Sequence, residues 1–412
     1  MSNAVDGQQS STVARPTGIN RLLASTAVSL IGQGAVAAAA PLLAASLTSS
    51  PLAVASVTAA RSAASLIVGL PAGAFVDRSA RRSTLVGADL IRSVVLIGLA
   101  LMVAAGWATI PLVIVCVFVI ASAGCFFDPA AQAAIPALVG RDDTRALTRA
   151  NGWLWGLDVF GRSLLGPPLG AALFVTAAWF PLGLNAATFA VSALLLIGVS
   201  RLPAPTREGP PTRLRADIAE GLRYLLRHAQ LRWLALGMSA YNFGYNVAYA
   251  TLVLYVTRTL GLRDIAFGIL LAVLAVGGVA GGWLGPIIAR RVPALRIYAF
   301  ALLIQALAWF SFFAVHDVAV SAAGLLAVGI ASTTVTIAGG TARQTLTPDA
   351  LLGRVGAGTR VIGIGSAAIG ALLGGALADL WSLTTPFLAA AAFLTAASIA
   401  FGLGSRGLPQ PE

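Results

Sequence analysis

Apolar residues run through this chain in long, nearly unbroken blocks, separated by short clusters of arginine, proline and small polar residues. The blocks cover approximately 21–47, 51–76, 84–106, 109–139, 151–177, 179–200, 232–258, 266–289, 294–315, 318–346, 354–380 and 383–404. About 20 apolar residues suffice for a helix to cross a bilayer core, and each block meets that length. The pattern predicts an all-α integral membrane protein with twelve transmembrane helices, numbered here as spans 1 to 12.

The longest polar stretch, RLPAPTREGPPTRLRADIAEGLRYLLRHAQLRW, divides the spans six and six. The expected organisation is a cytoplasmic tail (1–20), an N-terminal six-helix half (21–200), a cytoplasmic linker (201–231), a C-terminal six-helix half (232–404) and a cytoplasmic tail (405–412). The linker is Pro-rich at first. From Asp217 onward, Ile218, Leu222, Leu225 and Leu226 recur at helical spacing while Arg223 and Arg227 point elsewhere. That predicts an amphipathic helix, either lying on the membrane surface or solvated as a lead-in to span 7. The N-terminal tail is polar and expected to be disordered. The following AVAAAAP resembles a signal-peptidase site, but its apolar stretch is too long for a signal-peptide core, so span 1 is expected to be retained.

The two halves repeat. Gly69, Gly73, Arg81 and Arg82 recur 209 positions later as Gly278, Gly282, Arg290 and Arg291; Gln132 and Pro136 recur 212 later as Gln344 and Pro348; Gly166 and Gly170 recur 204 later as Gly370 and Gly374. Three ordered sets at nearly one offset indicate duplication. Two parallel six-helix halves are an arrangement of secondary transporters, with the substrate site between them near the midplane.

Composition agrees: 58% of the 412 residues are hydrophobic and 10% charged, and the mean hydropathy is +0.87. Too little polar surface remains to coat a soluble globule. A net charge of +12 would suit nucleic acid, but the charge is distributed by topology. All 27 basic residues are arginine, and twenty-one lie in the termini, the loops after even-numbered spans and the adjoining helix ends. By the positive-inside rule both termini are cytoplasmic, and no nucleic-acid partner is expected. Without lysine there is no GxxxxGK phosphate loop. Cys116 and Cys125 sit among apolar neighbours in span 4, and His228 and His316 stand alone, so neither metal nor cofactor is expected. No cluster of His, Cys, carboxylate or activated serine supports an enzyme. The lysine-free, Ala- and Gly-rich composition fits a GC-rich bacterial genome and hence the bacterial cytoplasmic membrane.

Charges inside spans are costly and should face protein or a water-filled cavity. Asp158 and Arg162 lie four apart in span 5, on one helix face, where they can pair. If span 5 enters near Asn151, Arg162 lies at about the depth of Asp128 in span 4, and the three can form one network. Two roles stay open for it: proton coupling or substrate contact, through a carboxylate whose surroundings change with conformation, or a permanent pair fixing span 5 against span 4. Arg61, Asp89, Arg92 and Arg360 read as packing or gating charges. Span 7 holds three of the six tyrosines: Tyr241, Tyr245 and Tyr249 share a face flanked by Asn242 and Asn246. Rings and amides in mid-span are a suitable lining for a large amphipathic ligand; Gln33 in span 1 is a further candidate.

The loop GLPAGAFVDRSARR, residues 69–82, resembles the signature G-x-x-x-D-R-x-G-R-R of the major facilitator superfamily, with Ala80 in place of one glycine. FFDPAAQAAIPALV, LTRANG, RSLLGPPLG, DIAEGLRYLLRH and GRVGAGTRVIGIGSAAIGALLGG resemble its drug:proton antiporter branch, which includes enterobactin exporters and macrolide-efflux proteins. The resemblance implies a cytoplasmic gate at Gly73, Asp77, Arg78, Arg81 and Arg82 that holds the outward-facing state closed, with a weaker counterpart where Pro286 replaces the aspartate. It also implies an antiporter motif G-P-x-x-G at Gly166, Pro167 and Gly170, a hinge and packing site in which Arg162 replaces the family's earlier glycine. The function so implied is proton-coupled efflux of a hydrophobic or amphipathic small molecule, such as an antibiotic, drug or siderophore, by a monomer in the lipid bilayer. An importer of a small metabolite and a non-transporting receptor or scaffold are the alternatives.

Overall fold

The computed structural model describes residues 17–76, 79–139, 143–199 and 214–404. Every regular element among them is helical. The N-terminal half comprises α1 (Thr17–Leu47), α2 (Pro51–Val76), α3 (Arg81–Ala104), α4 (Ile110–Val139), α5 (Thr144–Thr176) and α6 (Phe180–Ile197). Then come a linker helix α7 (Leu214–Arg227) and the C-terminal half: α8 (Ala229–Tyr249), α9 (Asp264–Ala289), α10 (Ala294–Ala314), α11 (Val318–Leu346), α12 (Asp349–Leu380) and α13 (Thr385–Gly404). Helix α1 begins four residues before the predicted start of span 1, and α5 begins seven before that of span 5.

Eleven of these helices are long and apolar enough to cross a membrane. The twelfth, α8, carries the Tyr and Asn cluster, which lowers its hydropathy. It continues through a short turn (Leu252–Leu254) and a π segment (Tyr255–Thr259). Side chains such as Ile67, Val94, Leu101, Val115, Leu194, Phe300 and Leu307 are exposed, forming the apolar belt that a bilayer covers. Turns are made where the chain has the residues for them. Gly106 and Gly261 adopt positive φ at the ends of α3 and before α9, and Asp143 and Asp317 cap α5 and α11 by accepting from Ala146 N and Val320 N at 2.9 and 3.0 Å.

The duplication is visible in the packing. Helix α1 packs on α5 as α8 packs on α12, α2 on α4 as α9 on α11, and α3 on α6 as α10 on α13. The repeated glycines make equivalent contacts. Gly166 and Gly170 lie against the α1 backbone at Gly34 and Ala35, and Gly370 and Gly374 lie against the α8 backbone at Phe243 and Val247. A side chain at any of the four would collide with main-chain atoms. Gly170→Leu and Gly374→Leu are each expected to destabilise by about 1–3 kcal/mol or more. A lowered unfolding temperature in detergent, similar for both, checks this.

The halves meet through α2 with α12 and α5 with α9, two contacts that the repeat exchanges. The linker helix is docked on the C-terminal half. Gly221 lies against the Arg354 backbone of α12, Glu220 Oε2 accepts from Arg354 Nη1 at 2.7 Å, and Leu225 is buried. Gly221, having no side chain, permits this close approach to α12.

Candidate functional site

A cavity of about 650 Å³ lies between the halves. Its two walls differ in chemistry. The N-terminal half contributes Gln33, Arg61, Arg92, Asp128 and Arg162; the C-terminal half contributes Asn242, Tyr245, Asn246 and Tyr249, with Leu271, Leu274 and Ile364.

Asp158 and Arg162 pair, Arg162 Nη1 lying 3.2 Å from Asp158 Oδ1, and Arg162 Nη2 donates to Gln33 Oε1 at 3.0 Å. Both charged side chains are about one-third exposed. They occupy a π-helical segment, Asp158–Leu165, inside α5. Pro167 and Pro168 follow it and supply no N–H to the preceding turn, while Gly166 N–H donates to Gly161 O, five residues back. Such π segments are frequent at functional sites.

Asp128 faces the same cavity but makes no hydrogen bond or ion pair to Arg162 among the described residues, so the expected three-residue network is not formed. The reason is depth. Because α5 starts at Thr144, Arg162 lies eighteen residues in, about 27 Å, whereas Asp128 lies eleven residues from Val139, about 16 Å. The partner of Arg162 is instead Gln33.

Asp89 and Arg92 form a second pair at 3.3 Å, fully buried, with Ser192 Oγ donating to Asp89 Oδ2 at 2.5 Å. The Arg92 guanidinium lies between Phe127 and Phe189, 4.9 and 5.0 Å from their ring centroids. Of the two roles the sequence left open, packing or gating, this buried geometry is that of a packing charge.

In α8, Tyr245 and Tyr249 stack at 5.1 Å with an interplanar angle of 18°, and the Tyr245 ring meets Trp309 edge-on at 6.2 Å. Asn246 Nδ2 donates to Asn242 O at 2.9 Å. Tyr241 does not line the cavity. It is buried and its hydroxyl donates to Val328 O of α11 at 3.1 Å, because one helical turn toward the N-terminus this face of α8 already meets α11.

The cavity is closed at one end. Call the face where α1 begins and α13 ends the terminal face, and the other the far face. At the far face Arg258 donates across the halves to Ala45 O, Thr48 O and Ser49 O at 3.0–3.2 Å, neutralising the carbonyl end of α1. Ser50 Oγ donates to Asp379 Oδ1 at 2.8 Å. Gly375 packs on Pro51, Leu52 and Ala55, and Gly268 on Pro167 and Ala171. Sequence reasoning missed this latch. Its only trace was that Arg258 is one of two arginines after an odd-numbered span; the carbonyls it binds carry no sequence signal.

At the terminal face the expected gate looks different. Among the described residues nothing lies within 4 Å of a Cβ built on Gly73, and one built on Gly69 meets only Cys125 Sγ at 3.9 Å, so no described helix backbone packs closely on these two glycines. Arg82 donates to Ile197 O and Arg21 to Gly198 O, capping α6 within the N-terminal half. Arg81 also has an interaction partner. Asp77 and Arg78 lie outside the described residues. No group of three or more His, Cys, Asp or Glu that could hold a metal occurs among the described residues.

Comparison with known proteins places this architecture. Residues 22–358 match the family model described as Major Facilitator Superfamily. No curated protein sequence matches the chain. Among solved structures, a bacterial homolog to the human lysosomal transporter Spinster, in an inward-facing and occupied conformation, shares 16% identity over 97% of this chain and 98% of that one, with a TM-score of 0.74. A bacterial homologue of the iron transporter ferroportin in an inward-facing state shares 17% over 94% and 98%, TM-score 0.70, and the nucleoside transporter NupG 11% over 95% and 99%, TM-score 0.74. At these identities the likeness is one of fold. With the family model spanning most of the chain and two pseudo-symmetric six-helix halves around one cavity, the chain belongs to the major facilitator superfamily of membrane transporters.

Proposed function

We propose that this protein is a proton-coupled exporter of hydrophobic or amphipathic small molecules, an antibiotic, drug or siderophore among them, working by rocking of its two halves about the central cavity. The observation that carries this reading is the cavity itself, with a partly exposed carboxylate–guanidinium pair in one wall and stacked tyrosines in the other. In this reading the arginine-rich terminal face lies on the cytoplasmic side of a bacterial inner membrane, as the positive-inside rule favours. With that orientation, closure at the far-face latch corresponds to an inward-facing conformation, the state named for two of the structural neighbours. The gate motif at Gly73, Asp77, Arg78, Arg81 and Arg82 would engage in the opposite, outward-facing state, with Gly166, Pro167 and Gly170 as the hinge.

In this scheme Asp158 takes a proton in one state and releases it in the other, its bond to Arg162 loosening and re-forming as the cavity changes access. Asp128 is the second candidate for that role. The test is pH-gradient-driven efflux of a panel of dyes and antibiotics from vesicles, with wild type and Asp158→Asn compared. Efflux is expected to fall to background in the variant while substrate binding persists. Unchanged gradient-driven efflux would return the Asp158–Arg162 pair to a structural role. Gradient-driven uptake by the wild type would make the protein an importer.

A further inference from the structure

We propose that the substrate carries an anionic group, a carboxylate in the first instance, which docks on Arg61 at the deep end of the cavity while an aromatic body lies on the Tyr245–Tyr249 stack. This inference rests on the transport reading of the cavity and names the class of molecule it takes.

Arg61 lies ten residues into α2 from Pro51, about 15 Å from the far end of the helix, near the middle of a hydrocarbon layer about 30 Å thick. A guanidinium at that depth needs a counter-ion or a reason to lack one. Each other arginine in the cavity wall has its carboxylate: Arg92 has Asp89 and Arg162 has Asp158. Arg61 lines the cavity, is exposed within it, and its side chain makes no hydrogen bond or ion pair among the described residues.

Arg61 and Arg162 line the same cavity, and with Arg162 already engaged the two form a site that an incoming anion completes. Asp128, which also makes no side-chain hydrogen bond or ion pair among the described residues, sits nearer the terminal face on α4. It does not neutralise Arg61 by contact.

The equivalent place in the other repeat carries no charge. The position 209 residues after Arg61 is Leu270, buried in α9. The counterparts of Asp128, Asp158 and Arg162, at offsets of 212, 204 and 204, are Gly340, Ile362 and Ser366. One repeat builds an apolar helix contact at this place and the other holds a cation with no ion-pair partner among the described residues. On the C-terminal wall of the same cavity is Tyr249, whose ring stacks on Tyr245. The cavity therefore offers a cation at its closed end and a flat aromatic surface beside it. Its volume of about 650 Å³ suits a drug-sized molecule.

The experiment measures binding to the purified full chain in nanodiscs for one- to four-ring aromatic carboxylates, each paired with its primary amide. It is done for wild type, Arg61→Gln and Arg61→Lys. For at least one pair the acid is expected to bind about tenfold or more tightly than its amide. Arg61→Gln is expected to abolish that preference while leaving amide binding in place, and Arg61→Lys to restore part of it. No preference for any acid, or a preference unchanged in Arg61→Gln, overturns the proposal. Gradient-driven transport of the same pairs separates the two readings. Amides or amines carried without acid preference would leave the transporter standing and remove the anion site. Acids bound through Arg61 but not transported would keep the site and remove the exporter.

Discussion

Arg92→Met is expected to unfold the N-terminal half far below the wild-type temperature, and pairing it with Asp89→Leu should restore much of the loss. Arg92 and Asp89 are buried, salt-bridged at 3.3 Å and braced by Ser192 and by two phenyl rings. Removing the cation alone leaves a carboxylate with no counter-ion inside a packed bundle, which costs about 3–5 kcal/mol. Replacing both charges by apolar groups removes the uncompensated charge together with its partner, and such exchanges are often close to neutral. Thermal unfolding in detergent distinguishes these cases. A fall on the order of 10 °C for Arg92→Met, largely recovered in the double variant, is the expected pattern. Equal losses in both would show that the cation–π packing, rather than the ion pair, holds α3 in place.

Arg258→Ala should release the far-face latch. Three hydrogen bonds from one guanidinium cross the halves to the end of α1, and Arg258 is exposed, so solvent weakens each of them. A net loss of about 2 kcal/mol is a reasonable magnitude for the set, enough to shift a two-state equilibrium about thirtyfold. Spin labels at Trp107→Cys and Val315→Cys, in a background lacking Cys116 and Cys125, sit on exposed far-face positions of opposite halves. Their separation should lengthen in Arg258→Ala, with a matching loss of the population closed at the far face. An unchanged distance distribution would assign the closure to the glycine contacts at Gly268 and Gly375 instead.

The architecture is legible in the sequence because both of its determinants are periodic: spans from the length of apolar blocks, and duplication from recurring glycines. Gly166, Gly170, Gly370 and Gly374 can be matched by their spacing alone, and the close helix contacts they make follow from the absence of a Cβ. Pairing of Asp158 with Arg162 is readable for the same reason, since four residues make one helical turn. Partners on other helices are not. Gln33 as the second partner of Arg162, Ser192 as that of Asp89 and the α1 carbonyls as those of Arg258 depend on the depth and rotation of packed helices. Asp128 is misplaced relative to Arg162 for that reason: seven residues of error in the start of α5 become about 10 Å of depth. Tyr241 fails as a lining residue because a stripe of three tyrosines spans more of α8 than the cavity does, and its first member meets α11.

The division of the cavity into a charged wall from one repeat and an aromatic wall from the other bears on inhibition. When the halves rock, the two walls change their spacing, so a transported molecule must let go of one of them. A rigid ligand that spans Arg61 and the Tyr245–Tyr249 stack at the separation found here would oppose that motion. Its binding energy would stabilise this conformation over the other, and the cargo would become a wedge.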